Sequence, residues 1–194
     1  NIGKNFSHGD KTDMNRRIAS RMTTISPSLT LAITAKSKAM KAAGEPVVSF
    51  GAGEPDFNTP QHIIDAAKRA LDAGYTKYTP SSGLLSLRKA VAEKFRRDNG
   101  LDYEPSQIIV SNGAKHSIFN ACYALLEEGD EVIIPAPYWL TYPEVVKVCG
   151  GVPVYIEGKK EDKFKFTPAD LERAITPRTK MLIFNSPSNP TGAV

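Results

Sequence analysis

From Gln107 to the last residue, short apolar runs alternate with amphipathic stretches, and this alternation constrains the fold more than any other feature of the sequence. The first instance reads QIIVSNGAKHSIFNACYALL, residues 107–126. Ile108, Ile109 and Val110 form a run that suits a buried strand, and Ser111-Asn112-Gly113 is a polar turn. Ile118, Phe119, Cys122, Leu125 and Leu126 then recur at helical spacing. Further strands are predicted over 131–134, 152–156 and 180–184. Helices are predicted over 142–148 and 169–175, the second capped by Thr167-Pro168. Strand, helix, strand in this order predicts an α/β fold, a mostly parallel sheet with helices on both faces. Ligands of such sheets bind at the C-terminal ends of the strands.

Before Gln107 the pattern is mainly helical. Residues 1–13 are polar and aperiodic, which predicts a disordered tail. A helix is predicted from near Ser28 or Thr30 to a stop at Gly44 and Pro46, then a short strand over 47–50. The loop GAGEPDF, residues 51–57, lacks the third glycine of a dinucleotide fingerprint. Thr59 is expected to cap a helix with Pro60 at its first position and Gly74 as its stop. Another helix is expected over 84–97, closed by Gly100.

Composition narrows the function. The chain has 194 residues, 41% hydrophobic and 24% charged, as expected for a globular protein with a packed core. A net charge of +4, with Lys and Arg dispersed among acids, argues against a nucleic-acid or polybasic membrane surface. No apolar run approaches the roughly 20 residues of a membrane span, and the start lacks a signal-peptide core, so a cytoplasmic protein is expected. Cys122 and Cys149 have no metal-ligand spacing and read as reduced, structural thiols; no metal is expected.

Three loops after predicted strands share a chemical character. Gly113-Ala114-Lys115 opens a helix, where free N–H groups and the helix dipole attract an anion, and Lys115 adds a cation. Tyr138-Trp139 offers a flat aromatic face. Asn189, between Ser188 and Pro190, offers an amide on a stiffened backbone. If the three converge, the ligand carries a phosphate, an aromatic ring and a polar ring substituent. Pyridoxal phosphate meets that description, and so does a nucleotide.

With these residues in view the chain resembles the N-terminal half of a class I aminotransferase of pyridoxal-phosphate fold type I. Within that family it is most similar to the bacterial and plastid aspartate and prephenate enzymes. The resemblance rests on GAGEPDF at 51–57, YTPSSG at 78–83, SNGAKHS at 111–117, PAPYWLTYPE at 135–144 and NSPSNPTG at 185–192. It implies a division into an N-terminal arm with part of a small domain over 14–58, and the first part of the cofactor-binding large domain over 59–194.

The resemblance also implies roles. Gly113, Ala114 and Lys115 would bind the cofactor phosphate, Trp139 would stack on the pyridine ring, and Asn189 would hydrogen-bond its phenolic oxygen. Gly53 would approach the substrate carboxylate through its backbone, with Thr30, Lys115, Trp139 and Asn189 also lining the substrate. Tyr78 would reach the phosphate held by a neighbouring subunit, which implies a homodimer. The Schiff-base lysine is expected beyond Val194, so no catalytic residue is expected in these 194 residues.

The implied activity is transfer of an amino group from aspartate to 2-oxoglutarate, within amino-acid biosynthesis. Prephenate or broad aromatic specificity is the alternative: Thr30 and Lys115 match relatives that accept prephenate, while Ser26 stands where some of those carry lysine. A non-catalytic regulator with an aminotransferase-like domain is the remote alternative. It would need a DNA-binding module that the residues before Gly51 are too few and too weakly basic to supply.

Overall fold

A computed structural model describes residues 18–51 and 53–194. The tail expected over 1–13, and Ala52 of the GAGEPDF loop, lie outside the described residues. The chain forms two compact units, one of Ser28–Gly113 and one of Ala114–Val194 joined by the described residues ahead of Ser28.

The unit Ser28–Gly113 is helical. Helix α1, Leu29–Ala42, starts where the Ser28 hydroxyl accepts the Leu31 N–H at 3.3 Å. It stops at Gly44, whose φ of +80° is the left-handed turn that glycine adopts without strain. Helix α2, Gln61–Asp72, begins one residue later than the sequence pattern predicts, because Pro60 is extended (ψ 138°) and itself holds the cap position. Thr59 is therefore not the cap. Helix α3, Leu85–Lys94, runs into a wider turn over Phe95–Asn99, and Gly100 at φ +65° closes it.

Two predicted strands of this unit are not strands. Residues 47–50 join no strand ladder among the described residues, and Val48 and Phe50 are 78% and 95% exposed. Residues 108–110 have the composition of a strand but no ladder. The Val110 N–H goes instead to the Ser82 carbonyl at 3.0 Å. An apolar run becomes a strand only where a neighbouring strand takes up its backbone groups.

The second unit holds the sheet. Helix α4 spans Ala114–Leu125 and is followed by β1, Glu131–Ala136. Helix α5 spans Thr141–Val148 and leads to β2, Val152–Glu157. Helix α6, Pro168–Ala174, precedes β3, Thr179–Leu182. The order is β2-β1-β3, all parallel, with Glu131 opposite Val152 and Ala136 opposite Glu157. Strand β3 is shorter than the predicted 180–184, but the Ile183 N–H still donates to the Ile133 carbonyl at 3.0 Å. The cap at Thr167 is as predicted, completed by Asp170 as a capping box.

Strand β1 is central and buried on both faces, which is why it reads as an unbroken apolar run. Val132, Ile133 and Ile134 are at most 1% exposed. Val132 and Ile134 pack with Val146 of α5 and with Cys122 and Leu126 at the end of α4. Each such burial is worth about 1.5–3 kcal/mol. At the start of the strand the buried carboxylate of Glu131 accepts the Thr176 hydroxyl at 2.6 Å and the Arg178 Nε–H at 3.0 Å. Those bonds tie the N-terminal end of β1 to the turn before β3. No helix of the described residues is long and apolar enough to cross a membrane.

Candidate functional site

Helix α4 ends just before β1 begins and packs along it, so the two run antiparallel. The start of α4 therefore lies at the end of the sheet where β1 delivers Tyr138 and Trp139. Gly113 precedes the helix at φ +84°, a backbone that other residues adopt only with strain, although a Cβ there would meet no atom within 4 Å. The requirement for glycine is conformational. The first turn, beginning Ala114-Lys115, contains no acidic residue.

Lys115 and Trp139 are brought together. The Lys115 ammonium is 5.7 Å from the centre of the half-buried Trp139 ring, within cation–π range. The Trp139 carbonyl in turn accepts the Tyr142 N–H at 3.0 Å, which opens α5. Tyr138, the residue before, lies on another side of the same loop. Its ring stacks on Tyr155 of β2 at 5.0 Å and an interplanar angle of 13°. Burial, and then the hydrogen bond with Tyr155, push its hydroxyl up to about 12.

Asn189 stands on the loop after β3. Its N–H donates to Asn185 Oδ1 at 2.8 Å, and Ser188 and Gly192 close the turn through bonds of 2.8 Å to Ala193 and Ser188 carbonyls. Asn185 and Asn189 line a cleft of about 240 Å³ with Tyr138, Phe164, Phe166 and Phe184. Trp139 and Lys115 do not line it. The start of α4 and the loops after β1 and β3 therefore present two features: a cationic helix start beside an indole face, and an aromatic cleft edged by two amides.

The remaining residues singled out in the sequence belong to the other unit. Thr30 is half-buried in the first turn of α1, and its carbonyl accepts the Thr34 hydroxyl at 2.8 Å. Gly53 is exposed, with open space where a Cβ would be. Tyr78 is fully exposed. Sequence reasoning overlooked Asn185, hidden in a Pro- and Ser-rich turn, and Arg88. The spacing of Leu84, Arg88 and Val91 on one helical stripe was the available sign that Arg88 turns inward.

The donor set fits an anionic group attached to a flat ring. An anion finds main-chain N–H groups and the Lys115 cation at the start of α4, and an aromatic ring finds the Trp139 face next to it. Fold and geometry together define an α/β protein with a parallel sheet and a candidate ligand site at the C-terminal end of its strands. The sequence pattern of the aminotransferase class I and II family matches residues 45–194, and the chain belongs to that family.

Relatives agree with that assignment. The chain is 60% identical over 178 residues to the aspartate aminotransferase of Geobacillus stearothermophilus, covering 92% of this chain and 45% of the relative. It is 56% identical over 169 residues to the aspartate/prephenate aminotransferase of Cereibacter sphaeroides, covering 87% and 42%. The solved structure of Thermus thermophilus aspartate aminotransferase with maleate superposes with a TM-score of 0.87 at 48% identity, over 89% of this chain and 45% of that one. The chain thus spans less than half the length of the relatives it matches.

Proposed function

We propose that the whole protein is a pyridoxal-phosphate-dependent aminotransferase that moves an amino group from aspartate to 2-oxoglutarate. The observation that carries this reading is the meeting of Lys115, in an acid-free helix start, with the Trp139 ring. When bound, pyridoxal phosphate supplies the electron sink that lets an amino acid lose its α-proton. The residues of this chain bind and orient. Gly113, Ala114 and Lys115 hold the phosphate, Trp139 covers the ring, and Asn189 donates to the phenolic oxygen. Gly53 meets the substrate carboxylate through its backbone, and Thr30 and Lys115 face the distal acid of a dicarboxylate.

Tyr78 serves the phosphate held by a second copy, so the active form is a homodimer, and a cytoplasmic one. In the whole protein, residues 14–58 belong to an arm and a small domain, and 59–194 to the large domain. Prephenate is the second amino acceptor to consider, because relatives above 50% identity carry the name aspartate/prephenate aminotransferase.

The test is spectroscopic. Purified whole protein with pyridoxal phosphate should lose its visible absorption on addition of aspartate and regain it on addition of 2-oxoglutarate. A spectrum indifferent to every acidic amino acid overturns the proposal. Prephenate competing with 2-oxoglutarate in the same assay would establish the second reading.

A further inference from the structure

The loop that carries Tyr78 has a built anchor. The ring itself is fully exposed, so its position depends on how residues 78–83 are held. Three contacts hold them, all within the unit Ser28–Gly113. The Arg88 guanidinium, half-buried on α3, donates from Nε to the Gly83 carbonyl at 3.2 Å and from a terminal nitrogen to the Pro105 carbonyl at 2.9 Å. The Val110 N–H donates to the Ser82 carbonyl at 3.0 Å. Gly83, at φ +96°, lies so close to Val110 that a Cβ would come within 2.8 Å of the valine side chain. The segment that supplies the Pro105 acceptor and the Val110 donor runs directly into Ser111-Asn112-Gly113.

A single guanidinium thus spans the end of the Tyr78 loop and the start of the segment that leads to Gly113. Its planar fork suits two carbonyls at fixed separation, which the point charge of a lysine does not reproduce. Half-burial of the charge is offset by both bonds.

We propose that Arg88 is a positioning residue: it braces the loop 78–83 against residues 105–113 and so sets where Tyr78 reaches. The inference rests on the reading of Tyr78 as a contact to the cofactor phosphate of the second copy. One brace then serves two phosphates, since the same segment ends in the Gly113 turn of its own subunit.

The experiment uses whole protein and reads the dissociation constant of pyridoxal phosphate by equilibrium dialysis, with the thermal midpoint of the cofactor-free protein measured alongside. R88M is expected to weaken cofactor binding roughly tenfold, and R88K, which keeps the charge on a single nitrogen but not the fork, roughly threefold. Y78F should weaken it on its own. The double variant R88M/Y78F should be no weaker than the weaker single, because Y78F removes a contact that R88M has already lost. Fully additive losses overturn the brace and leave Arg88 a general structural residue. Unchanged binding in R88M, with Y78F weakened, overturns the brace alone. Unchanged binding in Y78F overturns the Tyr78 reading and the brace with it. Should R88M fail to fold, R88K combined with Y78F is judged by the same rule.

Discussion

The Lys115 ammonium stands 5.7 Å from the centre of the Trp139 ring, which links the first turn of α4 to the loop leaving the central strand. The pair is separated by 24 positions, the difference of 115 and 139. It is joined because α4 packs back along β1 through Cys122 and Leu126.

Removing that cation should loosen ligand binding before it affects folding. An exposed cation–π contact is worth about 0.5–1 kcal/mol, and an anion at the helix start loses its nearest charge as well. Lys115→Met in the whole protein is expected to weaken pyridoxal phosphate about three- to tenfold. Lys115→Arg should retain most of the affinity. Titration of cofactor-free protein, followed by tryptophan fluorescence, measures both, and equal affinities for the parent and the methionine variant would sink the idea.

The core under this loop sets a larger energy. Ile134 is fully buried against Val146, Cys122 and Leu126. Ile134→Ala should cost about 2–5 kcal/mol in urea unfolding, through lost burial and a residual cavity. A loss under 1 kcal/mol would mean that the site collapses freely, contrary to the dense packing described above.

Acid should also act at the opposite end of the sheet. The Thr176 hydroxyl, and then Arg178, hold the Glu131 carboxyl below its usual range. A depressed folded value contributes stability that is full above the unfolded value, about 4.3 for glutamate, and is lost as pH falls through the folded value. The thermal midpoint of the parent protein should therefore fall more steeply below about pH 4 than that of Glu131→Gln. Parallel curves between pH 7 and pH 3 would remove Glu131 from the account.

The thiols should be quiet. Burial pushes Cys122 up to about 11, and the neighbouring Cys149 is also raised by burial. At pH 8 only about one Cys122 in a thousand is then thiolate, so native protein should resist iodoacetamide there and react only on unfolding. Mass spectrometry of alkylated native protein gives the answer, and rapid native labelling of Cys122 would contradict its burial.

Local chemistry was legible wherever it rests on neighbours in sequence. Thr167 as a cap, a helix start near Ser28 or Thr30, Gly44, Gly74 and Gly100 as stops, and the run 131–134 as a strand all follow from side-chain shape and spacing. The turn Gly113-Ala114-Lys115 was equally plain, because a left-handed glycine before an amphipathic run leaves few alternatives. Thr59 misled, since Pro60 can end an extended segment as readily as it can start a helix.

What the sequence by itself determined was a parallel α/β sheet and a glycine turn into a helix start that carries a lysine. Only the tertiary structure decided which apolar runs are strands, for residues 47–50 and 108–110 have the composition but no partner ladder. It also decided that Tyr138 and Trp139, adjacent in the chain, meet different surroundings, and that Arg88 holds two carbonyls 22 positions apart, at 83 and 105. The physical reason is common to all three. Caps and turns are settled by groups a few bonds away, whereas a ladder or a buried guanidinium needs acceptors that distant parts of the chain supply. The Lys115–Trp139 pair lies between the two cases: each residue announced its chemistry, and the packing of α4 on β1 brought them together.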